Sequence, residues 1–141
     1  PGLFYSHPVS TLDVFPTTLA AAGAELAEDR KLEGVDLLPY LKESAGTPPH
    51  ESLFWRQASN WAVRSGNWKL TFAADRYWLY DLSKDIGEKN NLAGSHPKKI
   101  RQLTEQYQKW NSHNTDPAWP ALSSKTMSEL SVDDVPIEWV F

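Results

Sequence analysis

The chain has 141 residues, enough for one compact domain, and carries 14 Lys and Arg against 18 Asp and Glu for a net charge of −4. No cluster of basic residues is present to neutralise a phosphate backbone, which excludes nucleic acid as an expected partner. The absence of cysteine excludes disulfides, thiolate metal sites and a cysteine nucleophile within these residues, and leaves the compartment open. The longest mostly apolar run, Leu12 to Leu26, is interrupted by Asp13, Pro16 and Gly23 and falls short of the roughly 20 residues a membrane span requires. No initiator Met opens the sequence, and no charged segment leads into an apolar stretch with a small-residue cleavage site, so the chain is expected to be a fragment of a longer polypeptide.

The first periodic segment is Asp13 to Gly23. Asp13 is placed to cap a helix, Pro16 fits its first turn, where a missing N–H costs nothing, and Gly23 can end it. The same grammar returns at Asp36 to Ser44, with a capping Asp, Pro39 three residues on and an apolar stripe of Leu37, Leu38 and Leu41, which predicts a second, shorter helix. Between them Ala24 to Gly34 is charged with little period, and Gly46-Thr-Pro-Pro49 has the chemistry of a loop. From Ser52 to Asp81 the pattern changes to four β-prone runs, Ser52–Arg56, Trp61–Arg64, Asn67–Ala73 and Tyr77–Asp81, separated by Ser, Asn, Gly and Asp.

A turn at Ser65-Gly66-Asn67 puts Trp61 and Val63 on one face with Trp68, Leu70 and Phe72, because strand side chains alternate with a period of two. Arg64, Lys69 and Thr71 share the opposite face. Beyond a turn at Asp85 to Asn91, Ile100, Leu103, Tyr107 and Trp110 recur at spacings of three and four through His96 to Asn111. That stripe predicts a helix lying on the sheet, with Ser95 as N-cap and Pro97 in its first turn. Ser112 to Phe141 reads as a polar tail whose β-prone end, Ile137–Phe141, can add an edge strand or wrap the body. The predicted class is α+β: a small antiparallel sheet of about four strands packed against a C-terminal helix, preceded by two short helices. The expected regions are 1–45, 46–115 and 116–141.

Read from the residues alone, no catalytic site assembles. His7, His50, His96 and His113 are scattered without the spacing that sets two ligands on one helix face, and read as surface residues. Asp133-Asp134 lacks the further oxygen ligands a hard cation needs. Asp81, Asp85 and Glu88 share a turn, where such side chains commonly accept hydrogen bonds from local backbone amides. The seven tryptophans, Trp55, Trp61, Trp68, Trp78, Trp110, Trp119 and Trp139, are able to stack on sugar rings but more often build a core.

Four blocks in one order carry a family resemblance. Val9-Ser-Thr-Leu-Asp-Val-Phe-Pro-Thr-Thr-Leu-Ala-Ala-Ala-Gly23 resembles the sulfatase segment that leaves the catalytic core. Leu32-Glu-Gly-Val-Asp-Leu-Leu-Pro-Tyr-Leu41 resembles the helix that follows, Ala62-Val-Arg-Ser-Gly-Asn-Trp-Lys-Leu70 a hairpin, and Leu79-Tyr-Asp-Leu-Ser-Lys-Asp-Ile-Gly-Glu-Lys-Asn-Asn-Leu92 a turn motif of that family. Ile86 departs from it, standing where the family usually has Pro. The resemblance implies the C-terminal portion of a sulfuric ester hydrolase of the alkaline phosphatase superfamily.

Such enzymes use a formylglycine made from Cys or Ser in a C/S-x-P-x-R motif and a calcium ion held by carboxylates and Asn. No such motif occurs here, so the resemblance implies that nucleophile, calcium and ligands belong to an N-terminal catalytic domain outside this chain. No catalytic residue and no metal ligand is carried over, and the chain alone is expected to be inactive. The role implied for it is to complete the fold and shape which sulfated small molecule or carbohydrate fits. Arg56, Gln57, Asn60 and Trp61, around the loop between the first two strands, are the candidate substrate-binding residues: a guanidinium grips sulfate in a fork and an indole stacks on a sugar. The alternative is that Arg56 and Trp61 simply close the sheet.

The resemblance also implies a periplasmic or secreted location. Apolar residues spread around the Asp13–Gly23 helix are expected to pack on the catalytic domain as well as on the sheet, and to drive self-association of the isolated chain. Two other readings stay open from the sequence: a carbohydrate-binding or interaction module, and a phosphatase or phosphodiesterase relative.

Overall fold

The computed structural model describes residues 4–25, 29, 32–42 and 47–116, and the backbone of 131–132 and 135–136. Asp133-Asp134, Ile137–Phe141, Trp119 and Trp139 lie outside the described residues. The chain divides into two compact units, Pro1–Leu53 with Arg64–Gly66, and Phe54–Val63 with Asn67–Phe141.

In the first unit a 3-10 turn, Thr11–Asp13, runs directly into helix α1, Val14–Ala21. Asp13, expected to cap this helix, does hold its N-cap position, but without a side-chain cap bond. Ser10 is the N-cap of the preceding 3-10 turn: its hydroxyl accepts from the Leu12 N–H at 3.2 Å, and the Asp13 carboxylate reaches back to the Ser10 N–H at 2.7 Å. This is the reciprocal capping box, which satisfies donors that a helix start leaves orphaned. Pro16 is buried in the first turn. Gly23, at φ 67°, ends the helix, with the Ala24 N–H on the Leu19 carbonyl at 3.0 Å and the Gly23 N–H on that of Ala20 at 3.1 Å. These paired bonds make a Schellman ending, which needs the left-handed residue that glycine supplies.

Helix α2 is short, Leu38–Lys42, with the Asp36 carboxylate accepting from the Leu38 N–H at 2.9 Å as its cap. Residues 43–46, where the sequence extends this helix to Ser44, lie outside the described residues. The stretch before α2 is laced to α1 by side chains one turn apart. Asp13 Oδ1 accepts from the Val35 N–H at 3.0 Å, and the Thr17 hydroxyl oxygen accepts from the Leu37 N–H at 3.0 Å. Gly34 has to be glycine because a Cβ there would collide with the Leu12 carbonyl.

Most of the second unit's core comes from a four-stranded antiparallel meander in the order β1-β2-β3-β4, with β1 Ser52–Gln57, β2 Asn60–Ser65, β3 Trp68–Ala73 and β4 Arg76–Asp81, of which Ser52, Leu53, Arg64 and Ser65 are counted in the first unit. The strands start or end within a residue of the sequence reading. Two-residue turns join them, and Gly66 at φ 57° supplies the left-handed position of the second. Lys69 pairs with Tyr80, Leu70 with Leu79 and Thr71 with Trp78 across β3 and β4. Helix α3, Pro97–Asn111, covers one face. Val63, Leu70, Leu79 and Leu103 are essentially without solvent contact, and Tyr107 is buried beside them. Phe54, Trp61, Trp68, Ile100 and Trp110 close around this core. Fully burying each such side chain stabilises the fold by about 2 kcal/mol.

Ser95 was expected to cap α3. His96 occupies that position without a side-chain cap, and the Ser95 hydroxyl donates instead to the Leu92 carbonyl at 3.1 Å. Pro97 needs no N–H partner there, which removes one orphan donor. The open edge of β4 is closed by Asn91, whose amide accepts from the Leu79 N–H at 3.0 Å and donates to the Tyr77 carbonyl at 3.1 Å. One side chain thus imitates a neighbouring strand at an edge that would otherwise invite pairing. Ser131–Val132 and Val135–Pro136 form a separate antiparallel pair, β5 and β6.

Candidate functional site

The four residues singled out for substrate contact sit on the β1–β2 hairpin, and the structure sorts them into two pairs. Gln57 and Asn60, at the ends of the two-residue loop, are exposed. Arg56 and Trp61 lie one step further down the two stems and are tied to α3. Arg56 Nη1 donates to Asn111 Oδ1 at 2.7 Å and Nη2 to the Thr115 carbonyl at 2.7 Å. The Trp61 ring lies flat on Tyr107, with centroids 4.1 Å apart and planes 6° from parallel, and stacks on Phe72 from another side. The loop itself carries Ala58 at φ 57°, a left-handed conformation that costs a residue with a Cβ about 1 kcal/mol.

Other tryptophans are accounted for in the same unit. Trp110 stacks on Phe54 at 5.2 Å, and Trp68 carries the Lys99 ammonium 5.4 Å above its ring. Trp55, about half exposed, is the one that presents most ring to solvent among the described residues.

A second polar constellation was not expected. Asp13 is fully buried, and both its oxygens lie 2.9 Å from His50 Nε2. His50, read from the sequence as a surface residue, is 10% exposed. Burial alone would raise the Asp13 pKa, but hydrogen bonds from the Ser10 N–H, His50 and the Val35 N–H outweigh it and hold the carboxyl below the ordinary carboxylate range. The local signal was the spacing Ser10-x-x-Asp13, the capping-box pattern. The partner His50, 37 residues on, has no local signal at all.

The acidic turn behaves as the sequence implies. Asp81 accepts from the hydroxyl and N–H of Ser83, and Asp85 from the Asn90 N–H, so both carboxyls sit below their ordinary range. Glu88 meets Lys69 at 2.6 Å. Among the described residues no three His, Cys, Asp or Glu side chains converge as a metal site.

Comparison with known proteins gives this arrangement its context. Over 138 residues the chain is 30% identical to steryl-sulfatase of Mus musculus, a match covering 74% of the chain and 22% of that protein. The chain belongs to the sulfatase family. It is also 37% identical over 109 residues to choline-sulfatase of Rhizobium meliloti, covering 74% of the chain and 21% of that protein. Its backbone matches the crystal structure of Ps i-CgsB in complex with k-i-k-neocarrahexaose at a TM-score of 0.70 and 26% identity, over 86% of the chain and 28% of the matched one. No family model matches the chain.

This sulfatase chain therefore spans about a fifth of the length of the curated relatives it matches. The sulfatase blocks in its sequence turn out to be fasteners. Gly34 of one block lies against Leu12 of another, Lys69 pairs with Glu88 across two more, and Asn91 seals the strand carrying Leu79.

Proposed function

We propose that the chain works as the C-terminal part of a sulfuric ester hydrolase, where it completes the fold of an N-terminal catalytic domain and extends the β1–β2 tip toward the substrate cleft. The observation that carries this reading is the apolar surface of the first unit. Leu12, Val14 and Phe15 are 59%, 63% and 57% exposed, with Val9 and Leu41 about half exposed. So much uncovered apolar side chain on one short segment marks an interaction surface. Relatives four to five times longer supply a body to cover it. In this proposal the isolated chain covers the surface by self-association.

The proposal assigns calcium and a formylglycine nucleophile to the N-terminal catalytic domain, and no step of the chemistry is drawn through this chain. What its residues contribute is recognition: Gln57 and Asn60 offer neutral amide donors and acceptors at an exposed tip, suited to hydroxyl and sulfate oxygens of a sulfated carbohydrate or small molecule. That one matched structure holds k-i-k-neocarrahexaose supports a saccharide class of substrate. Export to the periplasm or beyond the cell is part of the proposal. No helix among the described residues is long and apolar enough to cross a membrane.

Sulfate release from 4-nitrophenyl sulfate tests the proposal. The full-length polypeptide is expected to turn it over, and the 141-residue chain to give no release above the blank. Turnover by the chain alone, or a full-length polypeptide that cleaves phosphate or phosphonate esters and no sulfate ester, would contradict it.

A further inference from the structure

We infer that Arg56 is a positioning residue, and that the fork of its guanidinium, rather than its charge, holds Gln57 and Asn60 where a substrate meets them. The inference rests on the proposal that the hairpin tip reaches the substrate cleft. A two-residue loop makes Arg56 and Trp61 the first pair behind the tip, one on each stem. Both are tied to the last turns of α3. Arg56 binds Asn111 Oδ1 and the Thr115 carbonyl, each at 2.7 Å, while Trp61 lies on the Tyr107 ring. The two ties meet, because the Tyr107 hydroxyl also donates to Asn111 Oδ1, at 3.4 Å.

The charge has little to do with it. The one carboxylate near Arg56 among the described residues is that of Asp116, 3.7 Å away on a side chain that is 97% exposed, where solvent screens the attraction. The close acceptors are neutral and sit on separate residues, at the end of the helix and just past it. A planar fork of N–H groups reaches both at once, whereas a lysine ammonium on its flexible stem does not hold that geometry. The tip needs such a hold. Ala58 stays left-handed at φ 57° only while its surroundings fix it, and the exposed side chains of Gln57 and Asn60 make no hydrogen bond of their own among the described residues. A recognition group fixed in advance loses less freedom when ligand binds, so the tie serves affinity.

Arg56→Lys, which keeps the charge and removes the fork, is the test. In the 141-residue chain the amides of residues 58–60 are expected to exchange hydrogen about tenfold faster, with those in the middle of α3 unchanged. In the full-length polypeptide KM for a sulfated hexasaccharide is expected to rise about tenfold with kcat held within twofold, and KM for 4-nitrophenyl sulfate, too small to span to the tip, to stay the same. An unchanged hexasaccharide KM, in a protein where Gln57→Ala and Asn60→Ala do raise it, would overturn the inference. So would an equal fall in kcat on both substrates together with a lower Tm, the signature of a merely structural arginine. If Gln57→Ala and Asn60→Ala themselves leave the hexasaccharide KM unchanged, the tip makes no substrate contact, and the inference falls with the proposal beneath it.

Discussion

In the second unit the fully buried side chains are Val63, Leu70, Leu79 and Leu103, whereas in the first they are Asp13 and Pro16, with Leu12, Val14 and Phe15 left more than half exposed. The sheet and α3 close on each other around these side chains. The segment around α1 is arranged the other way round: a carboxylate at its centre gathers Ser10, Val35 and His50, and its hydrocarbon faces outward. Polar networks specify a shape but contribute little net free energy, because each group exchanges water for protein partners. The difference teaches that one unit buries its apolar side chains within itself, while the other leaves them exposed, as the proposed cover by a longer polypeptide requires.

The comparison breaks first at the core of the sheet. Leu79→Ala is expected to cost about 4 kcal/mol, the range for emptying a fully buried leucine site. Denaturation followed by tryptophan fluorescence reads this directly, since every tryptophan among the described residues belongs to the second unit. Asp13→Ala comes next, at about 3 kcal/mol for the first unit, because it strands two backbone donors and a buried histidine. The loss is read from the NMR signal of the Val35 amide, with the tryptophan-monitored midpoint held. A shared loss in both signals would mean that the two units do not melt separately.

Acid sharpens the contrast more gently. The folded-state pKa of Asp13 is lowered, so its contribution is fully present above the unfolded value of about 3.9 and disappears as pH falls through the lower folded value. The Val35 amide is therefore expected to lose protection below about pH 4, before tryptophan fluorescence changes. Asp13→Asn should remove that pH dependence. The smallest effect on stability is that of Phe15→Ser, within about 0.5 kcal/mol for a side chain already in solvent. Its expected consequence is reduced self-association of the 141-residue chain, measured by light scattering. An unchanged mass would show that this face is not the sticky one.

The parts of the fold that were legible in the sequence are those set by local periodicity. Alternation through Trp61, Val63, Leu70 and Phe72, the turn glycine Gly66, and the stripe Ile100, Leu103, Tyr107 and Trp110 placed the sheet and α3 correctly, because each depends on near neighbours. What was misread depends on distant ones. Asp13 does hold the N-cap position of α1, but its carboxylate turns back to Ser10 and across to His50, which is remote in sequence. Asn91 closing the β4 edge has the same origin, since no local pattern announces that a side chain stands in for a strand. For the hairpin, sequence chemistry placed a loop between β1 and β2, but the ties of Arg56 and Trp61 depend on Asn111 and Tyr107, which the fold brings there.

The central claim is that the rest of a longer sulfatase covers the outward apolar face of α1 while the sheet and α3 stand alone. Hydrogen exchange of the 141-residue chain, compared with the same residues inside the full-length polypeptide, tests it most directly. The account expects the amides of Val14 to Ala21 to gain at least about a hundredfold protection in the full-length polypeptide, as local opening gives way to a packed interface, and those of Leu103 to Tyr107 to change little. Equal protection of α1 in both would contradict it.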